Sequence, residues 1–412
     1  MTDLTRRDFV GASLALMALP GLAQENDGFE VHEWGVLTVA EGATWAAART
    51  GGVTFDAKRA EIAANPPEFA MTWTKFIGDR IETWKTEPRV VFKPVIYFHA
   101  KKPLTVRLKI GVPRGRPAIW WPPASEVAPT ITLPVHSGRL DTEQEEPPKI
   151  ESIVPEKGHL LWNDLFINPG AEGLAFRKVD AAHWWHAARQ VDSAGVLASQ
   201  ESERFVYYDA LTIVDSPIET SWTDDSVSVK NLLAREIPFL VAIRVKDGKA
   251  LTAVSGALAA GATAKLPLKA GEASALTDHL KTAGLTAKEA AGMTAIWTPE
   301  FFTADGFRVL APLPAAEIER LLPMEITPAP AKLVRVLLVH VECPGPAGTR
   351  DIDALIAKLG SDDVAERDEA AVKLSKLGLR AEGALRKAAK AATDAEVRAR
   401  IAELLKSIGV KP

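Results

Sequence analysis

The hydrophobic and polar residues of this chain follow two different periods, and the change falls near residue 343. Before that point, short apolar runs are separated by turns rich in Pro and Gly. Val106, Leu108 and Ile110 alternate with polar neighbours, which predicts a half-buried antiparallel strand. Residues 239–245 and 251–254 flank an Asp-Gly pair, which is typical of a type I′ hairpin turn. The pattern predicts a β-rich α+β fold, with an antiparallel sandwich-like main domain over 24–343.

Other apolar runs complete this main domain. They predict strands at 90–98, 205–213, 265–268 and 333–341. Helical periods interrupt the strands and predict helices at 57–64 and 72–84, a helical insertion near 271–304 and a short helix around Ile318.

Beyond residue 343 the period is helical. A Pro-Gly-rich stretch predicts a linker at 344–349. Four apolar stripes then predict four helices within 350–412, and Thr393 with Glu396 matches a capping box at the start of the fourth. All 11 tryptophans, 14 phenylalanines and 3 tyrosines lie at or before Phe307, so the two regions differ sharply in composition.

The second and fourth of these helices match at an offset of 31 residues. Leu374 corresponds to Leu405, and Gly378 corresponds to Gly409. Two helical hairpins that repeat in this way resemble HEAT-like repeats. The resemblance implies stacked helix pairs that bind a protein partner or pack on the sheet of the same chain.

The amino terminus has the pattern of an export signal. A paired arginine, Arg6-Arg7, precedes an apolar run at 10–19, and Ala23 offers a small-residue cleavage point. The apolar run is shorter than the roughly 20 residues that a membrane-spanning helix needs. The paired arginine resembles the twin-arginine type of signal. We therefore predict that 1–23 is removed and that the mature chain is periplasmic or extracellular, by either the twin-arginine or the Sec route.

Composition and the motifs that the sequence lacks narrow the possible classes of protein. The chain has 412 residues, is 47% hydrophobic and 25% charged, and carries a net charge of −4, which is a globular balance without the basic surface of a nucleic-acid binder. No other apolar run reaches membrane-spanning length, so we expect no membrane span in the mature chain. Cys343 is the only cysteine, which excludes an intramolecular disulfide. The motifs of common hydrolases, nucleotide-binding proteins and zinc fingers are missing from the sequence.

A His-Glu-Trp-Gly motif at 32–35 opens the mature domain. It resembles a group of uncharacterised exported bacterial proteins that begin with His-Glu-Trp-Gly-Thr-Phe, although Val36-Leu37 replaces Thr-Phe here. Further similarity at 203–208 and 313–330 extends the resemblance over most of 30–342. It implies a shared architecture and no known activity. On a strand, His32 and Glu33 would lie on opposite faces, which favours structural roles for His32, Glu33 and Trp34 over a shared metal site.

His183 and His186 are the strongest metal candidates in the sequence. On a helix their side chains would share one face, and both imidazoles would reach one divalent transition metal ion. The fold would have to supply a third ligand, for which the candidates are Asp180, Asp192, His159 or Glu203. The alternative is an aromatic-rich segment that packs on the sheet, since Trp184 and Trp185 separate the two histidines.

Trp120 and Trp121 follow Arg114 and Arg116. Exposed tryptophans beside arginines would stack on a glycan-like ligand. In the alternative that we favour, one tryptophan fills the edge of the sandwich.

Two classes of function follow from these patterns. The first is an exported, non-catalytic binding or structural protein whose helical repeats contact a protein partner. The second is an extracytoplasmic metal-dependent enzyme with a site near His183 and His186.

Overall fold

A computed structural model describes residues 28–42, 67–72, 94–128, 157–171, 173–212 and 214–408. The predicted signal at 1–23 and the predicted helix at 57–64 lie outside the described residues, as does most of the predicted helix at 72–84.

Strands make up most of the described chain before residue 344. In chain order they are β1 (Glu30–Ala40), β2 (Met71–Thr72), β3 (Val95–His99), β4 (Leu104–Val112), β5 (Gly115–Trp121), β6 (Glu126–Ala128), β7 (Gly158–Asn168), β8 (Gly195–Ala198), β9 (Glu201–Glu203), β10 (Val206–Thr212), β11 (Ile218–Trp222), β12 (Ser226–Asn231), β13 (Leu240–Lys246), β14 (Lys249–Ser255), β15 (Thr263–Pro267), β16 (Lys269–Ala270), β17 (Gly306–Pro312), β18 (Met324–Thr327) and β19 (Lys332–Cys343).

Helices lie between the strands and at the carboxyl end. In chain order they are α1 (Trp184–Ala188), α2 (Ser274–Thr282), α3 (Ala287–Thr298), α4 (Ala315–Leu321), α5 (Gly345–Lys358), α6 (Val364–Leu377), α7 (Glu382–Ala391) and α8 (Ala395–Ser407). A π-helical turn (Pro299–Thr303) follows α3, and a 3-10 turn (Gly378–Ala381) separates α6 from α7. None of these helices is both long and apolar enough to span a bilayer.

The largest sheet has the strand order β16-β14-β13-β17-β19-β1-β3-β10-β5-β2. Its two central strands, β1 and β19, pair in parallel along their whole length, with Trp34 opposite Val336. The sequence predicts an antiparallel sandwich-like main domain, so the parallel pairing of these two strands is a correction. Its physical reason is burial: β19 carries a nearly continuous apolar run that is covered on both faces, which is typical of a parallel strand.

A second sheet packs on one face of the large sheet, which confirms the sandwich-like β-rich prediction. It has the order β18-β4-β7-β8-β9, and β6 also pairs with β7. Val106, Leu108 and Ile110 of β4 are fully buried in the core that the two sheets share, while their neighbours are partly exposed. The predicted hairpin is β13–β14, and both of its turn residues, Asp247 and Gly248, have positive φ.

Helices α1, α2 and α3 cover the other face of the large sheet. Trp34 of β1, Trp185 of α1 and Trp297 of α3 are buried together in this second core. The predicted helical insertion is the α2–α3 hairpin with its π-helical turn. The insertion therefore forms one wall of the core, and it brings side chains of α3 against β1 and β3.

The four carboxyl-terminal helices pack as two hairpins, α5–α6 and α7–α8. Leu374, Leu385 and Leu405 are buried, in the same apolar core as the two sheets. The segment predicted as a linker is helical, because α5 begins at Gly345. Asp394 rather than Thr393 caps α8, accepting hydrogen bonds from the backbone N–H groups two and three residues further on.

One close backbone contact joins these helices to the strand region. Gly42, which follows β1, has a φ of +72°, and a Cβ at this position would lie 2.7 Å from the Cα of Gly383 in α7. Only glycine fits here without moving one backbone away from the other.

Candidate metal centre

The register of β1 against β3 brings two histidines together. His32 lies opposite Tyr97, and Glu30 lies opposite His99. Directly opposed residues of an antiparallel pair share a face, so all four side chains lie on the helix-covered side of the large sheet. His32 and His99 are diagonal neighbours, with ring centroids 4.7 Å apart.

Glu289 reaches both histidines from α3. It is the third residue of that helix and completes a capping box with Thr286, whose backbone N–H donates to Oε2 at 2.7 Å. His32 Nδ1 lies 2.9 Å from the same Oε2, and His99 Nε2 lies 2.9 Å from Oε1. The carboxylate that fixes the start of α3 therefore also binds one imidazole with each oxygen.

The site is buried on one side and open on the other. Glu289 is fully buried and His32 is 2% exposed, whereas His99 is partly exposed. Burial raises the pKa of the Glu289 carboxyl, but the hydrogen bonds from His32 and His99 outweigh burial and lower this pKa from 4.5 to about 2. Glu289 is consequently a carboxylate at neutral pH, the form that binds a cation.

Both ring nitrogens of His32 face carboxylates. Nδ1 faces Glu289, and Nε2 lies 3.3 Å from Oε2 of Glu30. A neutral imidazole has one N–H group, so it cannot donate to both carboxylates. Protonation of the ring would supply both donors, and a metal ion at Nδ1 would equally satisfy the pair, because Nε2–H would then donate to Glu30. A histidine that binds a metal commonly donates its other N–H to a carboxylate in this way.

The donor atoms of His32, His99 and Glu289 all lie within 4.8 Å of one another. In a tetrahedral zinc site, bonds of about 2.1 Å place donors roughly 3.4 Å apart, so small side-chain movements suffice to close the set. Two imidazoles and one carboxylate suit zinc and other divalent transition ions, and this set leaves a fourth position for water or a ligand.

A polar cavity of about 430 Å³ adjoins the cluster, with Glu30 and His99 in its wall. The half-buried face of His99 is therefore the side from which an ion or a small molecule would enter.

A second group of donor atoms, from Glu300, His340 and Glu342, is also close enough for an ion. In this group the guanidinium of Arg308 already pairs with the carboxylate, since its Nε lies 3.5 Å from Oε1 of Glu342. His340 Nε2 lies 2.9 Å from the same oxygen. A fixed guanidinium beside the carboxylate opposes the binding of a metal cation. The contacts of Glu289, in contrast, are two imidazoles and one backbone N–H.

The structure does not bring His183 and His186 into a three-ligand group. His183 lies outside α1 as its N-cap residue, and its Nδ1 accepts a hydrogen bond from the Trp185 backbone N–H at 3.1 Å. That nitrogen is thus occupied by the helix terminus. Within the described ranges, neither histidine belongs to a cluster of three donor atoms.

The candidate third ligands for that site have other partners. Asp192 pairs with Lys288, His159 with Glu126, and Glu203 with Arg189. Asp180 Oδ1 accepts from the backbone N–H of Ala182.

Trp120 and Trp121 are buried in strand β5, 1% and 3% exposed, and point into the two different cores. Arg116 is buried as well, and its Nη1 donates to the carbonyl of Pro117, whereas Arg114 is exposed. The stacking of a glycan-like ligand requires exposed indole faces, which these tryptophans do not present. Their burial agrees with the alternative in which they fill the sandwich.

Glu33 and Trp34 have structural contacts. Glu33 lies on the opposite face of β1 from His32, where it accepts hydrogen bonds from Tyr208 Oη at 2.5 Å and Arg335 Nε at 2.6 Å. Trp34 is fully buried against Tyr97.

Sequence reasoning missed His99 and Glu289, and it favoured a structural role for His32. A signal existed for each: His99 directly follows the apolar run predicted as a strand at 90–98, and Thr286-Ala-Lys-Glu289 matches the capping-box pattern. Neither signal indicates that the two residues meet at His32.

No family model matches the chain, and no curated protein sequence is similar to it. Among solved structures, the Mu homology domain of Fcho1 from Danio rerio, with a bound Eps15 peptide, is 7% identical and covers 77% of this chain and 96% of that chain, with a TM-score of 0.26. A TM-score this low does not establish a shared fold.

Proposed function

We propose that this chain binds a divalent transition metal ion through His32 Nδ1, His99 Nε2 and a carboxylate oxygen of Glu289. The observation that carries the proposal is the meeting of three donor atoms, from segments far apart in sequence, beside a polar cavity. Zinc fits this donor set best, since two histidines and one glutamate form a known ligand set of catalytic zinc sites. The proposal keeps the metal-dependent class predicted from the sequence and moves its site away from His183 and His186.

The surroundings support a functional ion rather than a purely structural one. Structural zinc sites are closed by four protein ligands, whereas catalytic sites keep one position open. Here three ligands come from the protein, and the cavity adjoins the most exposed of them, His99. An ion in this position would polarise a bound carbonyl or phosphoryl oxygen, or lower the pKa of a bound water. We further propose, from the signal at 1–23, that this metal centre works outside the cytoplasm.

Calorimetric titration of zinc into the mature protein, after removal of metals by a chelator, tests the proposal. We expect one equivalent to bind and expect His99→Gln to weaken binding by at least tenfold, because it removes one of three ligands. His279→Gln is the matched control. His279 lies in α2, stacks on Phe239 and belongs to neither group of donor atoms. Zinc binding that is absent, or equal in the wild type and His99→Gln, would overturn the proposal.

A second candidate function concerns the carboxyl-terminal helices, which we propose to be HEAT-like repeats that contact a protein. Their contacts support a 31-residue repeat. Asp363 caps α6 as Asp394 caps α8, and Arg367 Nη1 donates to the carbonyl of Ser361 as Arg398 Nη1 donates to that of Ala392.

The outer surface of α6 supports the same candidate, because Val364 and Val372 are 58% and 53% exposed. A photo-crosslinker at position 372 of the full chain, in the native envelope, should trap one defined protein. The same group at Lys249, an exposed position in β14, should trap none. Identical adducts from both positions would contradict a specific surface.

A further inference from the structure

The cavity beside His99 is lined by charged groups of both signs. Its polar lining consists of Glu30, His99, Lys101, Asp192, Ser193 and Arg204. The two carboxylates already have cationic partners: Asp192 Oδ2 lies 2.6 Å from Lys288 Nζ, and Glu30 Oε2 lies 3.6 Å from Lys332 Nζ. Both carboxylates therefore have lysine partners outside the cavity. Lys288 lowers the pKa of Asp192 most, and the nearby charges of Arg204 and His99 lower it further.

The two cationic side chains of the cavity, Lys101 and Arg204, form no direct ion pair with another described residue. Within the described ranges, neither Lys101 nor Arg204 lies within ion-pair distance of a carboxylate. Arg204 is held by Ser193: its Nη1 donates to the Ser193 carbonyl at 2.9 Å, and Ser193 Oγ donates to the Arg204 carbonyl at 2.9 Å. These bonds fix the guanidinium at the cavity wall and use one of its five N–H donors.

We propose that this cavity binds an anionic group, a carboxylate or a phosphate, through Lys101 and Arg204. The inference rests on the proposed function, because the same anion would also reach the open position of an ion held by His32, His99 and Glu289. Guanidinium N–H groups match the oxygens of carboxylates and phosphates, and lysine adds a mobile charge. A volume of about 430 Å³ lies within the range of small-molecule sites.

Two probe anions, inorganic phosphate and acetate, test whether the anionic group of the ligand is a phosphate or a carboxylate. Each is titrated calorimetrically into the metal-free mature protein and optically into the protein loaded with Co²⁺, whose visible absorption responds to its ligands. We expect at least one of them to bind, and to bind more tightly when Co²⁺ is present. A preference for phosphate points to a phosphate-bearing ligand, and a preference for acetate points to a carboxylate-bearing one.

Variants decide whether the cavity is the site. Arg204→Gln and Lys101→Gln should each weaken anion binding by about tenfold, because each removes a charge-assisted hydrogen bond. Lys249→Gln removes a comparable exposed charge outside the cavity and should leave binding unchanged. Lys101 is exposed, so its variant is expected to fold even if Arg204→Gln does not.

The outcomes separate the two proposals. Cobalt binding without binding of either anion would overturn the anion site and leave the metal centre in place. Anion binding that depends on Arg204 and Lys101, without any metal binding, would contradict the metal centre alone. Anion binding as tight in both variants as in the wild type would overturn the cavity as the site.

Discussion

His32 and His99 lie on neighbouring antiparallel strands with ring centroids 4.7 Å apart, and each imidazole contacts a different oxygen of the Glu289 carboxylate. The three residues are far apart in sequence. They therefore come together only when β1, β3 and α3 have packed against one another. The capping box of α3 fixes Glu289 in position independently of any ion. Of the three side chains in the proposed metal centre, Glu289 is thus already held in place, which would lower the cost of binding an ion.

Export is the first prediction. The paired Arg6-Arg7, the short apolar run and Ala23 lead us to expect removal of 1–23. Intact-mass analysis of protein from the native envelope measures this directly, and a retained amino terminus would contradict it. Replacement of both arginines by lysine should block export if the twin-arginine route is used.

The stability of the helical region provides a second prediction. Leu374 is fully buried, so Leu374→Ala should lower the free energy of unfolding by about 2–5 kcal/mol. Val372→Ala is the matched control on the same helix, because Val372 is 53% exposed and should change the stability by less than about 0.5 kcal/mol. Denaturant unfolding of the full chain is the measurement. Equal effects of the two substitutions would refute the assignment of the buried stripe.

The reactivity of Cys343 provides a third prediction. Burial and the nearby Glu41 carboxylate raise the pKa of its thiol well above the ordinary value, and the thiol donates to the Val341 carbonyl. We expect negligible alkylation by iodoacetamide at pH 8 in the folded protein and complete alkylation in denaturant, as read by mass spectrometry. Labelling of the folded protein at the rate of an exposed cysteine would be inconsistent with the buried strand.

The pH dependence of stability provides a fourth prediction. Burial raises the pKa of Glu342, but His340 and Arg308 outweigh burial and hold this pKa below 4.5. Because the pKa is lower in the folded state, Glu342 stabilises the fold above about pH 4.5, and this contribution is lost as the pH falls further. Glu342→Gln should flatten the dependence of unfolding free energy on pH in that range.

Glu325→Gln is the control for this pH experiment, since Glu325 lies in β18 with an exposed side chain. Its profile should run parallel to that of the wild type. A Glu342→Gln profile with the unaltered wild-type slope would show that the buried carboxylate makes no such contribution.

Strands and turns could be predicted from the sequence where a pattern of a few neighbouring residues determines them. The alternation at Val106, Leu108 and Ile110 predicts β4, and the Asp-Gly pair at 247–248 predicts the β13–β14 turn, because both signals act over a few residues. The parallel pairing of β1 with β19 did not follow, since the two strands are separated by nearly the whole main domain. Sequence alone carries no register between such distant segments.

The candidate site illustrates the same limit. Its members lie on β1, β3 and α3, and no spacing rule connects them. The spacing of His183 and His186 predicts a shared site because the two residues are close in sequence, yet His183 serves as a helix cap. Local proximity thus indicated His183 and His186, whereas tertiary packing brings three donor atoms together at His32, His99 and Glu289.

The most direct test of the metal centre is anomalous X-ray scattering at the zinc edge from crystals of the mature protein grown with zinc. We predict one strong peak about 2.1 Å from His32 Nδ1 and His99 Nε2, with a carboxylate oxygen of Glu289 as the third protein ligand. A peak located at His183 and His186, or the lack of a peak at His32 in crystals that contain zinc, would contradict the account.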